Sequence, residues 1–424
     1  MPEIKPFRAI MFNSQRVKIP EVVAPPYDVI SKDRCRDLYE LSPYNVVRLI
    51  LGREEDPYAS AARSYAQWMA EGILSQEAEP ALYLLSQHFT ASGERGVERR
   101  GFIAACRLEE FGSGSVYPHE QTHAGPKEDR LRLFEATGAM FSQIFALYPD
   151  PKHVLDRQLD AETQRLPDVD VEFDGIRNRL WKILDGSAIL ALAGFLKGQR
   201  VLVADGHHRY ETALSYSNAR RFKNPRHTGT EPYNFVPVYF TNMNDSGLVI
   251  LPTHRIVHGM PRFRRRRFLD ALADSFEIRF EESPDDLVRS LAARTQGAFG
   301  LVLPDDPGFV LLSYKRRTVP GAGDVPALLA HLDLTILHSV IMKKMFHTSE
   351  EEEEKKFHIE YEHDTRQAVR TVREGKAQAA FLLNPPRIEL LRAIAEGGFT
   401  MPRKSTYFFP KLLSGLVMYS FAGG

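Results

Sequence analysis

The sequence predicts an α+β fold of mixed sheets with packed helices. Short alternating apolar runs and helix-period runs follow one another without a regular βαβ rhythm, proline-rich steps divide them, and no internal repeat recurs at a fixed period. A chain of 424 residues is longer than one ordinary core supports, so about two or three packed units are expected. The expected regions are 1–195, an N-terminal α+β region carrying the "HEQTHAGPKEDR" loop, 196–330, a region opening with "DGHHR", and 331–424, a C-terminal helical region with a terminal strand, packing as three units or merged into one or two.

Taken in order, the first segment "FRAIMFNSQRVKIPEVVAPPYDVIS" carries short β-type runs broken by proline turns. The step Ala24–Val29 is not helix interior, because consecutive prolines remove donors and hold the chain extended. In "DPYASAARSYAQWMAEGIL", Ala61, Tyr65, Trp68, Met69 and Ile73 recur at helical spacing, with Asp56 and Pro57 as N-cap and first helical residue. The runs "ALYLLSQHFT" and "RRGFIAACRLEEF" alternate as two antiparallel strands joined by the polar loop "ASGERGVE". A helix is expected to begin near Pro126.

Beyond it, Val201–Ala204 reads as a buried strand and Tyr210–Ala219 as a helix. Strands follow at "FVPVYFTNM", "GLVILPTHRIV" and "GAFGLVLP", with a helix at "RRRRFLDALADSF" between the last two. Residues 333–375 read as mostly helical, except around "SEEEEEKK", and lead to the strand-like "QAAFLLNPP". The charge runs Arg264–Arg267 and Glu350–Lys356 read as solvated surface.

With 55 basic and 55 acidic residues the formal net charge is zero, so no global field draws the chain to nucleic acid or membrane, and neither is an expected partner. Cys35 and Cys106 are too few for a disulfide framework or a cysteine metal site. The N-terminus "MPEIKPFRAI" lacks the apolar core of a signal peptide, and no run approaches the roughly 18 apolar residues of a membrane span. A cytoplasmic protein is expected, its oligomeric state open.

The stretch "VLVADGHHRYETAL" concentrates polar side chains where a strand meets a helix. Gly206 takes backbone conformations other residues resist, and a fresh helix N-terminus presents unpaired N–H groups with positive partial charge. That combination is an anion site, and the donor fork of Arg209 makes phosphate its natural ligand. The competing reading has Asp205 capping the helix with His207 and His208 on its solvated face. No dedicated metal site is expected, since adjacent histidines diverge and no HExxH pattern is present.

The run "DGHHRYETA" resembles the Gly-x-x-Arg-x-x-x-Ala nucleotide box of the ParB/sulfiredoxin-like superfamily, particularly the Asp-Gly-His-His-Arg form of its free serine kinases. The resemblance implies phosphate contacts at Gly206, His208 and Arg209 in a ParB/sulfiredoxin-like nucleotide-binding unit. Sulfiredoxins carry their nucleophilic cysteine where this chain has His207, so sulfiredoxin chemistry is not implied. Over a wider span, "APPYDVIS", "NVVRL", "HEQTHAGPKEDRL", "VADGHHRYETAL" and "KSTYFFPKLLSGL" occur in the order that resembles the DUF1015 family, a domain of unknown function. Genes of that family often lie beside serine-biosynthesis genes, which points to serine or phosphoserine as the metabolite.

A second polar loop packs His119, Glu120, Thr122, His123, Lys127, Asp129 and Arg130 around Gly125-Pro126. It reads either as plain solvated loop or as the chemical half of a phosphoryl-transfer site: Glu120 as general base, Lys127 and Arg130 as cations for the transferred group. No Walker A, kinase Gly-rich loop, HRD or DFG sequence is present. The C-terminal "RKSTYFFPK" contributes Arg403, Lys404, Ser405 and Lys411, with Tyr407, Phe408 and Phe409 expected to cover core.

These readings converge on a nucleotide-dependent phosphotransferase, a small-molecule kinase acting on a small polar metabolite with free serine as the named candidate. Glu120, Lys127 and His207 are the expected catalytic residues. Asp205, Gly206, His208, Arg209 and Arg130 would hold the nucleotide, and His119, Thr122, Asp28, Lys404 and Ser405 the substrate. The cofactors expected are ATP or ADP and Mg²⁺, the ion bridging phosphate oxygens with Asp205 or Glu120 as carboxylate ligand. The alternatives are a nucleotide-responsive binding or regulatory protein without turnover, and a small-molecule phosphoester hydrolase.

Overall fold

The computed structural model describes all residues except 92–93, 113, 123, 260–262, 306–307, 317–325, 331, 343–358, 403 and 423–424, and except the side chains of 94, 95, 124, 126 and 327. His123, Arg403 and the charge run 350–356 lie outside the described residues. The fold is α+β, with mixed sheets and packed helices, as the alternation of patterns predicts.

The chain divides into two compact units, residues 1–249 with 408–424, and residues 250–407. The boundary expected at 195 falls inside the helix Gly186–Leu196 of the first unit. The next strand, Val201–Asp205, is a member of the same sheet as the N-terminal strands, so a cut there would sever a hydrogen-bonded ladder. The boundary expected at 330 likewise falls within the second unit.

The first unit is built on a nine-stranded mixed sheet. Its path runs Val116–Tyr117, Val201–Asp205, Ile144–Tyr148, Phe235–Asn242, Glu94–Arg107, Leu82–Ala91, Ile176–Ile183 and Val169–Phe173, with Ile4–Lys5 pairing Glu94–Arg107. Val201–Asp205 lies parallel to Val116–Tyr117 and antiparallel to Ile144–Tyr148. Flanked on both edges and buried from Val201 to Ala204, it needs apolar residues in succession rather than in alternation. The register against Ile144–Tyr148 shifts between Val203 and Asp205, an irregularity that ends regular pairing and re-aims Asp205.

The long hairpin is antiparallel, with Tyr83 opposite Ile103 and Phe89 opposite Val97, and pairing continues to Ala91 opposite Glu94. The expected loop "ASGERGVE" is therefore largely strand: alternation continues further than its polar composition signals. The helix Pro57–Ala70 starts as expected, the Asp56 carboxylate accepting from the Ala59 N–H at 2.9 Å. It stops before Ile73, where Gly72 turns left-handed at φ +68°. Ala124–Thr137 starts two residues ahead of Pro126 and packs on both Pro57–Ala70 and the long helix His207–Lys223.

The second unit carries a six-stranded antiparallel sheet in the order Phe276–Glu281, Phe309–Tyr314, Ala298–Val302, Ala379–Leu382, His254–Val257 and Ile359–Glu362. Its core includes Ile256, Leu287, Leu291, Val302, Val372 and Leu382. Two expectations change here. The run "GLVILPTHRIV" is two strands, Val249–Leu251 and His254–Val257, with Pro252 between them because proline lacks the N–H a ladder needs. The mostly helical 333–375 contains the strand Ile359–Glu362, whose residues pair with His254–Val257 from far away in sequence. Among the described residues no helix is long and apolar enough to cross a membrane.

Candidate functional site

The strand Val201–Asp205 passes through one residue, Gly206, into the 17-residue helix His207–Lys223. Gly206 is left-handed at φ +89° and, as the N-cap residue, brings no side chain of its own to cap the helix it opens. A β-carbon at Gly206 would stand 3.0 Å from a terminal nitrogen of Arg209 and 3.1 Å from its guanidinium carbon, so the missing side chain serves both the turn and the close approach of that guanidinium. The first-turn N–H groups of this helix carry the positive end of the macrodipole, as an anion site requires.

Asp205 does not cap the helix. One carboxylate oxygen accepts from Arg209 at 2.8 Å and the other from the Lys411 ammonium at 2.8 Å. Burial pushes its carboxyl up, but Lys411 and Arg209 together outweigh that and hold it below the usual carboxylate range. A carboxylate so strongly held as the anion is a weak base. Arg209 is only 4% exposed; besides Asp205 its guanidinium donates to Ser142 Oγ at 2.9 Å and to the Gln143 carbonyl at 2.6 Å. This arginine braces the strand, the turn and the 142–143 loop against one another.

The second polar loop lies against the same helix. Thr122 Oγ1 and Lys127 Nζ both donate to Glu211 Oε2, at 2.5 and 2.8 Å, and Glu211 is four residues after His207. His119 is buried; its Nδ1 is 2.7 Å from the Val203 carbonyl, which fixes that nitrogen as the protonated one. The His119 backbone N–H donates to His207 Nε2 at 3.4 Å, and the two rings meet edge to face with centroids 4.7 Å apart. Glu120, half-buried, stands between His119 and the Thr122 contact.

Arg130 is a brace as well. It donates to Asp129 and, at 2.9 Å, to the Ile50 carbonyl, and its guanidinium covers the Tyr27 ring at 4.2 Å. Burial and the neighbouring Asp28 raise the Tyr27 phenol to about 12, and Asp28 itself is exposed on the short turn Tyr27–Val29. His208 is half-buried, and its carbonyl accepts from Thr212 Oγ1.

Lys404 and Ser405 belong to the second unit. Lys404 is left-handed at φ +55° and its carbonyl accepts from the buried Arg255, while the Ser405 hydroxyl donates to the Pro402 carbonyl.

Three participants carry no role at the level of sequence, although Lys411 is named there as one of the polar residues of its motif. Lys411 stands in a motif whose other residues draw the attention, and nothing local marks it as the partner of a carboxylate 206 positions away. Glu211 has the composition of an ordinary exposed helix residue. Arg99 sits in the middle of a strand and is fully buried.

Asp205 fits Mg²⁺ poorly, because both of its oxygens already hold cations. Among the described residues no group of three His, Cys, Asp or Glu side chains is placed to hold a metal ion. Two shallow surface depressions, one lined by Ser14–Pro20 with Asp170 and one by Arg265, Leu269 and Phe280, contain none of these residues.

Burial lowers the His119 imidazole to about 4, and burial together with His119 holds His207 well below the ordinary imidazole value. The unfolded chain takes up a proton near the ordinary 6.5 while folded His119 does not, so stability falls as pH drops from 6.5 and levels off below about 4. For His119 alone the loss is ~3 kcal/mol over that window. A proton NMR titration is expected to show no imidazole shift for His119 between pH 7.5 and 5, and a midpoint near 6.5 would contradict this geometry.

The family model described as "Protein of unknown function (DUF1015)" matches residues 4–335. No curated protein sequence matches the chain. Among solved structures, a conserved hypothetical protein from Pyrococcus furiosus is similar at 12% identity, with a TM-score of 0.36 over 70% of this chain and 90% of that one. A free serine kinase in complex with AMP is similar at 12% identity, with a TM-score of 0.37 over 71% and 92% of the two chains. SbnI with C-terminal truncation from Staphylococcus aureus is similar at 11% identity, with a TM-score of 0.36 over 74% and 86%.

Proposed function

This chain belongs to the DUF1015 family, and we propose that it is a nucleotide-dependent phosphotransferase acting on a small polar metabolite. The observation that carries the reading is the left-handed Gly206 at the start of a 17-residue helix, with Asp205, Arg209 and Lys411 joined beside it. The first turn, with Gly206 and His208, takes the nucleotide phosphate through backbone N–H groups. Arg209 holds that turn in shape and adds positive charge.

Glu120 is the proposed general base for the acceptor, with His119 and Thr122 beside it. Lys127 is the cation for the transferred group; Glu211, its present partner, would release it as the phosphate arrives. His207, kept neutral by burial, is a further proton-accepting group next to the turn. Free serine is the proposed acceptor, and Mg²⁺ is proposed only as an ion carried by the phosphates. The proposed ParB/sulfiredoxin-like class of this unit is supported by the "DGHHRYETA" resemblance.

A second reading, a nucleotide-responsive binding protein without turnover, is favoured by one feature: Asp205 and Arg209 are already engaged within the protein, leaving the helix terminus to bind without chemistry. The two are separated by incubation with ATP or ADP, Mg²⁺ and a pool of amino acids, followed by mass spectrometry of the products. Both predict binding. A hundredfold excess of nucleotide over Kd is expected to stabilise the fold by about 2.7 kcal/mol, read as a melting shift. Absence of any shift or calorimetric heat across ATP, ADP and CTP, with and without Mg²⁺, removes both readings.

A further inference from the structure

Arg99 lies in the strand Glu94–Arg107 with no exposed surface, and among the described residues no carboxylate is within ion-pair distance of it. Its guanidinium donates to Gln87 Oε1 at 2.5 Å, to the Pro410 carbonyl at 2.5 Å and to the Phe409 carbonyl at 3.2 Å, and it packs over the Phe145 ring at 4.6 Å. Gln87 in turn donates to Asn178 Oδ1 at 2.9 Å and to the Lys411 carbonyl at 3.4 Å. Burying a guanidinium against neutral oxygens costs several kcal/mol of desolvation, roughly, so stability alone would be served as well by an apolar side chain. What the guanidinium does that methionine would not is hold the two carbonyls immediately before Lys411.

The consequence is a delivered ammonium. Phe408 packs on the His119 ring at 6.0 Å and on Phe145 at 5.6 Å, anchoring the other side of the segment. The Lys411 side chain, 12% exposed, then reaches Asp205 Oδ1 at the end of the strand that opens the phosphate turn. Two cations from widely separated parts of the chain, Arg209 and Lys411, thus converge on one carboxylate next to a helix N-terminus. Asp205 orients both.

We propose that Lys411 is a further phosphate-binding residue of this site and that Arg99 is the residue that positions it. The ligand group is a phosphate rather than a planar carboxylate. The ammonium comes from the C-terminal segment and the N–H groups from the helix, two separate elements, and a tetrahedral group with several acceptor oxygens can satisfy both together. The inference rests on the phosphate-turn reading above but not on the nucleotide, since a phosphorylated metabolite offers the same group.

Its test compares ligands with and without phosphate by calorimetry: AMP against adenosine, and O-phosphoserine against serine. Lys411→Met is expected to weaken the phosphate-bearing ligand about tenfold or more, the loss of one charge-assisted contact, while leaving adenosine or serine affinity unchanged. Lys411→Arg is expected to restore most of it. Arg99→Met should lower the same ratio of phosphorylated to unphosphorylated affinity, a readout that mere loosening of the sheet would not move; urea unfolding checks that each variant is folded. If wild type binds AMP and the folded Lys411→Met variant keeps the wild-type ratio, the inference is overturned while nucleotide binding stands. If wild type binds O-phosphoserine but no nucleotide, and Lys411→Met loses it, the nucleotide reading falls and the role of Lys411 holds. Binding of no phosphorylated ligand at all overturns both.

Discussion

Arg209→Ala is expected to abolish measurable nucleotide binding and to cost about 3–5 kcal/mol of folding stability, the usual result of removing one partner from a buried ion pair. The size of the second effect comes from what the guanidinium leaves behind: Asp205 with one cation instead of two, and the Ser142 hydroxyl and Gln143 carbonyl without their donor. Arg209→Lys should recover part of the stability, because an ammonium still neutralises Asp205, but it cannot donate in two directions from one plane. Urea unfolding and nucleotide calorimetry on the same preparations separate the effects. A folded Arg209→Lys protein with undiminished nucleotide affinity would mean that the turn needs charge and not the fork; full affinity in a folded Arg209→Ala protein would leave the turn a structural helix start.

Glu120→Gln should behave in the opposite way. The substitution keeps shape and removes basicity, so nucleotide affinity is expected to stay near wild type while turnover falls about 10²–10⁴-fold. The reason for choosing Glu120 over Asp205 is electrostatic. Asp205 is held as the anion by Lys411 and Arg209, whereas Glu120 lies in a half-buried loop between His119 and Thr122, two residues tied to the phosphate strand and helix. Unchanged turnover in a folded Glu120→Gln protein would pass the role to His207 or Asp28. Fold integrity is checked by circular dichroism, and affinity and turnover are measured as a pair.

Local physics is legible in the residues themselves. The Asp56 cap and Pro57 start of the first long helix, the apolar strand Val201–Asp205 and the glycine turn after it all follow from backbone rules acting over a few residues. Expectations fail where a distant partner outvotes a local signal. Polar residues 94–98 stay in a strand because the partner strand continues opposite them, and Ile359–Glu362 is a strand because His254–Val257 needs a neighbour. The two units likewise follow sheet membership, which joins segments that lie far apart in sequence.

By itself, the sequence determined the fold class, the family resemblance and the identity of the turn that carries Gly206, because each rests on residue types at short fixed spacing. Only the tertiary structure decided which groups are already engaged there: that Arg209 and Arg130 are braces, that Lys127 pairs with Glu211, and that Lys411, steadied by Arg99, arrives at Asp205 from the far end of the chain. The reason is physical. A capped turn or a left-handed glycine is a property of adjacent peptide units, whereas an ion pair between residues 205 and 411 exists only once the sheet has brought its strands together and removed the water between them.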